Sequence, residues 1–122
     1  MKKYEVKDKK IKVFALRTKV VDGYEIVVKT YIHSQESHGF WAYVRELSEN
    51  ERFSAKAVQV EETTQFKVVY NPKIKDKLYI EYGNKTYDIV SVDRNEFNKT
   101  DLVINGNEIL APVFDEVEYE NY

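Results

Sequence analysis

The chain contains no cysteine. Disulfides and thiolate metal sites are therefore excluded from its chemistry. Only two histidines are present, His33 and His38, too few for a His-rich metal centre. No apolar run approaches the length of a membrane span. The lysine-rich start is not followed by an apolar stretch long enough for a signal peptide, so the expectation is a protein that is cytoplasmic where it is made. Positive charge is not in surplus: the net charge is −2, and no global basic field exists to hold nucleic acid. A P-loop, a Gly-rich phosphate loop, metal-ligand spacing and a nucleophile elbow are all missing.

What remains is an ordinary soluble composition with a β lean. The 122 residues suit one domain that can bury a core without metal or disulfide staples. Aromatic residues make up 14%, ten of them Tyr, and Tyr suits both pleated surfaces and half-wet contacts. Charge is unevenly spread. Six Lys fall in the first twelve residues, while Asp115, Glu116, Glu118 and Glu120 lie in a stretch without a basic residue. Two solvated termini are the plain expectation; contact with a neighbouring subunit, head to tail, is the other.

The organising stretch runs from Phe40 to Tyr70. Trp41-Ala42-Tyr43-Val44-Arg45-Glu46-Leu47 has strand content, with Trp41 expected as a core anchor. Ser48-Glu49-Asn50-Glu51 is a capping box, and Phe53, Ala57 and Val60 share a helical face, which predicts a short helix over about residues 48–59. Strand character returns from Thr63 to Tyr70, and Asn71-Pro72 stops it. Before this stretch, residues 11–17 and 24–32 read as strands about an Asp22-Gly23 turn. After it, residues 78–82 and 86–93 read as a hairpin about Gly83-Asn84, with Val90 and Val92 facing away from Tyr87 and Ile89. Residues 101–104 read as a last strand broken by Asn105-Gly106. Ile109, Leu110, Val113 and Phe114 form a final apolar patch around Pro112. The fold expected is mainly β: a small antiparallel barrel or sandwich of about six strands with one short helix. Residues 1–10 make a flexible basic start, 11–110 the barrel and 111–122 an acidic tail.

Reactive constellations are weak. His33 and His38 flank Ser34, Glu36 and Ser37 in a polar, solvated loop with no apolar frame to hold a catalytic geometry. Glu61-Glu62 and Asp115-Glu116 are adjacent pairs, which a strand sends to opposite faces. Catalytic, metal and cofactor residues are accordingly expected to be none. Tyr79, Tyr82 and Tyr87 beside Lys73, Lys75 and Lys77 admit a second reading, a small barrel that binds single-stranded nucleic acid. Core or cross-strand packing is the simpler role for these tyrosines.

The ordered set Trp41-Ala42-Tyr43-Val44, Ser48-Glu49-Asn50-Glu51 with Ala55 and Ala57, Thr64-Gln65-Phe66 through Tyr70, and Gly83 to Val92 resembles the phage head–tail joining family. These are the head-closure, stopper or head completion proteins of long-tailed phages. The resemblance covers about residues 11–110, and the acidic tail departs from it. It implies a small barrel with one helix, no enzymatic activity and no cofactor. It implies a homo-oligomeric ring in the virion neck, assembled in the host cytoplasm and monomeric in solution until templated. It also implies a portal-side adaptor above, a tail-completion protein below and transient, non-specific proximity to DNA. Within that reading, Ser48, Glu49, Asn50, Glu51, Arg52 and Gln59 are candidate channel-facing gate residues. Lys73, Lys75 and Lys77 form a candidate protein-contact loop.

Overall fold

The computed structural model describes residues 6–46, 64–94 and 100–120. Among them, eight strands form one sheet: β1 (Lys9–Val21), β2 (Tyr24–Tyr31), β3 (Phe40–Glu46), β4 (Thr64–Val69), β5 (Tyr79–Tyr82), β6 (Lys85–Arg94), β7 (Asp101–Ile109) and β8 (Glu116–Tyr119). The predicted helix and its capping box fall on residues outside the described set.

Six of the strands close on themselves. Going round, β1 pairs β3, β3 pairs β4, β4 pairs β7, β7 pairs β6, β6 pairs β5, and β5 pairs β1, every pairing antiparallel. Closure removes the open edges that an antiparallel sheet otherwise presents. The long β1 makes this possible. Its start pairs β3 through Lys9–Ile11 and its middle pairs β5 through Lys12–Phe14. Its remaining length leaves the ring as a hairpin with β2, matched from Phe14↔Tyr31 to Val21↔Tyr24. The tip of that hairpin is Asp22-Gly23, with φ of 52° and 82°. Two positive φ values are what a two-residue hairpin turn with matching twist demands.

Alternation fills the ring. Ile11 and Val13, Ala42, Phe66 and Val68, Ile80, Tyr87 and Ile89, and Leu102 and Ile104 point inward and are buried, with Ile32 and Ile74 joining from the connections. Phe66 meets Tyr87 edge-on, ring centroids 5.1 Å apart.

Three expectations change. Trp41 faces outward, 56% exposed, because Ala42 takes the inward position on β3; Lys10 Nζ sits 4.3 Å above its ring. Asn105-Gly106 does not break β7, which runs through to Ile109. At Gly106 a Cβ would meet Phe66 Cε1 at 3.2 Å and Tyr87 Cβ at 3.3 Å, so glycine there makes room for two large inward rings. Finally, the register of β6 against β7 slips between Ile89 and Ser91, a bulge that turns Val92 back toward the core beside Ile89. Asn105 Nδ2 donates to Ser91 Oγ at 2.9 Å across that bulge.

Candidate assembly surface

The outer face of the β1–β2 hairpin holds the densest polar chemistry among the described residues. Lys29 lies in an apolar run of β2, and alternation sends it to the face opposite Val28. It is buried there, its Nζ bonded to Glu81 Oε2 of β5. Tyr31, two residues on, donates its hydroxyl to Glu81 Oε1 at 2.8 Å. Rings enclose the ammonium: Phe14 at 4.6 Å, Phe114 at 4.9 Å and Tyr31 at 5.3 Å to their centroids. Such faces attract a cation more strongly when water is excluded.

These contacts set the protonation of the cluster. Burial alone would raise the Glu81 carboxyl. The hydrogen bonds from Lys29 and Tyr31 and the charges of Lys29 and Lys12 together outweigh it and hold the group below its ordinary value. The Tyr31 phenol moves strongly upward, first because it is buried and then because it already donates to Glu81. The triad is therefore a closed ion pair with a neutral phenol, not an acid/base couple facing solvent.

His33 continues this cluster. The sequence suggests a solvated loop, yet His33 is buried against Phe40, 5.4 Å and edge-on, and near Tyr31 and Tyr119. Nδ1 faces the Ser34 carbonyl at 3.2 Å, which assigns the proton to Nδ1. Nε2 has no partner among the described residues. Burial, followed by the charges of Lys12 and Lys10, lowers its pKa. Ser34 and Ser37 bond to each other's backbone and side-chain atoms in the turn that follows, and no nucleophile–base contact with His33 is formed.

The acidic tail is attached here. β8 lies parallel to β2, matched from Val28↔Glu116 to Tyr31↔Tyr119. Asp115 closes a reciprocal contact with Val27: its N–H donates to the Val27 carbonyl and its carboxylate accepts from the Val27 N–H, both at 2.8 Å. Glu120 N–H donates to Tyr31 O at 3.0 Å. Tyr119 stacks on Tyr31 at 4.9 Å, and Phe114 covers Lys29. On the opposite face, Arg17 meets Glu120 at 3.1 Å, and Lys19 meets Glu118 at 3.4 Å and Glu116 at 4.0 Å. The charged tail is thus ordered by its own hairpin.

The basic loop borders the same surface. Lys73, Lys75 and Lys77 are exposed, and Lys73 Nζ reaches Glu120 Oε1 at 3.6 Å. With Arg17, Asp76 and Glu120, Lys73 and Lys75 line an open depression of about 360 Å³. The loop and the tail meet inside one chain. The six residues suggested as a gate lie outside the described residues. Their connection departs from Glu46 and returns at Thr64, which are paired with each other. The two were also the sequence's only specific site suggestions; the Lys29–Glu81–Tyr31 triad was missed. The one signal for it was a lysine amid Val27, Val28, Thr30 and Tyr31.

Among the described residues no cluster of three or more His, Asp or Glu is arranged to hold a metal ion. The rings that a base-stacking platform would offer are engaged with one another: Tyr79 stacks on Phe14, and Tyr82 and Tyr87 meet Phe66 edge-on.

The family model described as phage head completion protein matches residues 8–105. The solution structure of protein SF1141 from Shigella flexneri 2a is similar in fold, with a TM-score of 0.70. That similarity covers 88% of this chain and 96% of the other at 19% identity, and it speaks to fold alone. No curated protein matches the chain.

Proposed function

The chain belongs to the phage head completion protein family, and from that premise we propose that it is a ring-forming component of the virion neck. In this reading copies of the barrel assemble below the portal-side adaptor, close the DNA-filled head and present a surface to the tail-completion protein. The observation that carries it is the extent of the match, residues 8–105, which takes in five strands of the closed ring entire and the first half of the sixth, β7. A closed barrel has few strand edges left for pairing, so its partners must be met through side chains, loops and termini. The exposed Val20 and Tyr24 at the hairpin tip, Trp41 with Lys10, and the Lys73–Lys77 loop are such features.

The connection between Glu46 and Thr64 is assigned to the channel. Its polar residues Ser48, Glu49, Asn50, Glu51, Arg52 and Gln59 suit a wet lumen. A near-neutral lining lets DNA pass without the phosphate contacts that would retain it. No observation favours the nucleic-acid-binding alternative.

The test is to incubate purified protein with connector particles carrying portal and adaptor and to image them. A ring of added density beneath the adaptor supports the assignment. Unchanged connectors, with the protein retained instead on single-stranded DNA at low salt, would overturn it.

A further inference from the structure

We propose that the C-terminal strand is an exchangeable strap, and that the β2 edge of one chain accepts β8 from a second copy of this chain in place of its own. The proposal does not depend on the neck assignment.

The dock is specific to this peptide. It reads Asp115 through the reciprocal bonds with Val27 and Glu120 through Tyr31 O. It reads Tyr119 by stacking on Tyr31, Phe114 by the Lys29 ammonium, and three glutamates by Arg17, Lys19 and Lys73. A second copy supplies this same set, so exchange replaces every contact by its equivalent. A partner of other sequence would have to reproduce all of them.

The strap is also joined in a way that permits release. Between the end of β7 at Ile109 and Asp115, the chain carries Leu110 and Val113 at 92% and 88% exposure, with Pro112 between them. Among the described residues these two large apolar side chains stand almost wholly uncovered. A second copy brought alongside supplies surface for them, which exchange gains and the closed monomer lacks. An extended connector of this length reaches about 15–20 Å. β8 itself is four residues long and pairs on one edge, in parallel, whereas the ring strands are paired on both sides. Within one chain the strap is held by high effective concentration, of millimolar order for a short linker. Exchange therefore belongs to crowded conditions, where copies stand side by side.

The absence of cysteine makes a clean test possible. Thr30 and Glu118 are register partners across the β2–β8 pair. Thr30 Oγ1 is buried without a partner among the described residues, so Thr30→Cys removes no hydrogen bond. Thr30→Cys chains and mass-labelled Glu118→Cys chains are mixed in urea, refolded together at about 1 mM and oxidised. A Val90→Cys chain mixed with the Glu118→Cys chain gives the background of random collision. The Thr30→Cys/Glu118→Cys double variant reports closure within one chain. Expected is a Thr30→Cys to Glu118→Cys heterodimer at least about tenfold above background, fading on dilution as the strap closes on its own chain. Complete closure within the double variant, with heterodimer no higher than background, would overturn the proposal. So would a double variant that forms no internal disulfide, because the strap would then have no dock to exchange.

Discussion

Lys29 and Glu81 show how much rests on one pair of side chains. Each is a poor tenant of an apolar site alone, and together with the Tyr31 hydroxyl they satisfy one another. Lys29→Met removes the cation and leaves a partly buried carboxylate with only the Tyr31 hydroxyl of the triad to satisfy it. Breaking a well-buried pair from one side costs about 3–5 kcal/mol, and the residual exposure of Glu81 brings the expected loss to about 2–3 kcal/mol. Adding Glu81→Leu should restore most of it, since an apolar pair of similar volume leaves no charge stranded. Urea unfolding of both variants checks this; a double variant no more stable than Lys29→Met would mean that the pair is not the source of the loss.

His33 supplies a pH dependence of definite sign. Its folded pKa lies below the unfolded value, because protonation would place a charge in a buried site among Tyr31, Phe40 and Tyr119 and near Lys12 and Lys10, with the Ser34 carbonyl and then Glu81 only partly offsetting them. The unfolded chain then binds the proton first. Stability is full above the unfolded pKa of about 6.5 and is lost as pH falls from there toward the folded value. Glu81, also lowered, adds its own loss only when pH falls below its ordinary carboxylate range. Melting temperature should therefore drop as pH falls through about 6.5, and His33→Phe should flatten that part of the profile while leaving the more acidic limb.

At the scale of elements, closure of the ring depends on a backbone crossing. Gly39 opens β3 with φ of 111°, and a Cβ there would stand 2.0 Å from the Ile11 carbonyl oxygen. Gly39→Ala cannot be accepted without parting β1 from β3, so the expected loss is on the order of 3 kcal/mol. Gly83, in the β5–β6 turn, has φ of 62° and nothing within 4 Å of the same position. Gly83→Ala carries only the left-handed backbone penalty, about 1–2 kcal/mol. Thermal or urea denaturation of the two variants side by side distinguishes steric closure from simple turn strain; equal losses would argue against the crossing.

The same elements show what could be read in advance. Period-two alternation and the two glycine turns revealed both hairpins, because those are local signals. Gly106 read as a break because a turn glycine and a space-making glycine look identical until Phe66 and Tyr87 arrive from other strands. The bulge at Val90 needs the register of β7 to exist at all. Trp41 and Ala42 are neighbours on one strand, and local pattern does not say which faces in. β8 was invisible for a related reason: Glu116-Val117-Glu118-Tyr119 is charged and short, and its partner lies far back in the chain. His33 was hidden by its polar company, although the rings that bury it come from β2, β3 and β8.

At the scale of the molecule, a barrel that has used its edges in closing can meet partners only through what projects from it. The Lys73–Lys77 loop is one such projection, but Lys73 already shares Glu120 with Arg17, so its removal would disturb the tail as well. Lys75 and Lys77 are the cleaner probes, both exposed. Reversing exposed charges changes folding stability by no more than about 1 kcal/mol, so Lys75→Glu/Lys77→Glu should melt within a few degrees of the parent. If the loop contacts an acidic neck surface, the same variant should bind connector particles about tenfold more weakly at low salt. Salt separates this from a general defect. Raising ionic strength shortens the screening length to about 8 Å at 0.15 M and less beyond, so parent binding should fall toward that of the variant while the variant changes little. Parallel salt curves, displaced by a constant factor, would instead mean that the substitutions act on shape and that the loop's charge is incidental to assembly.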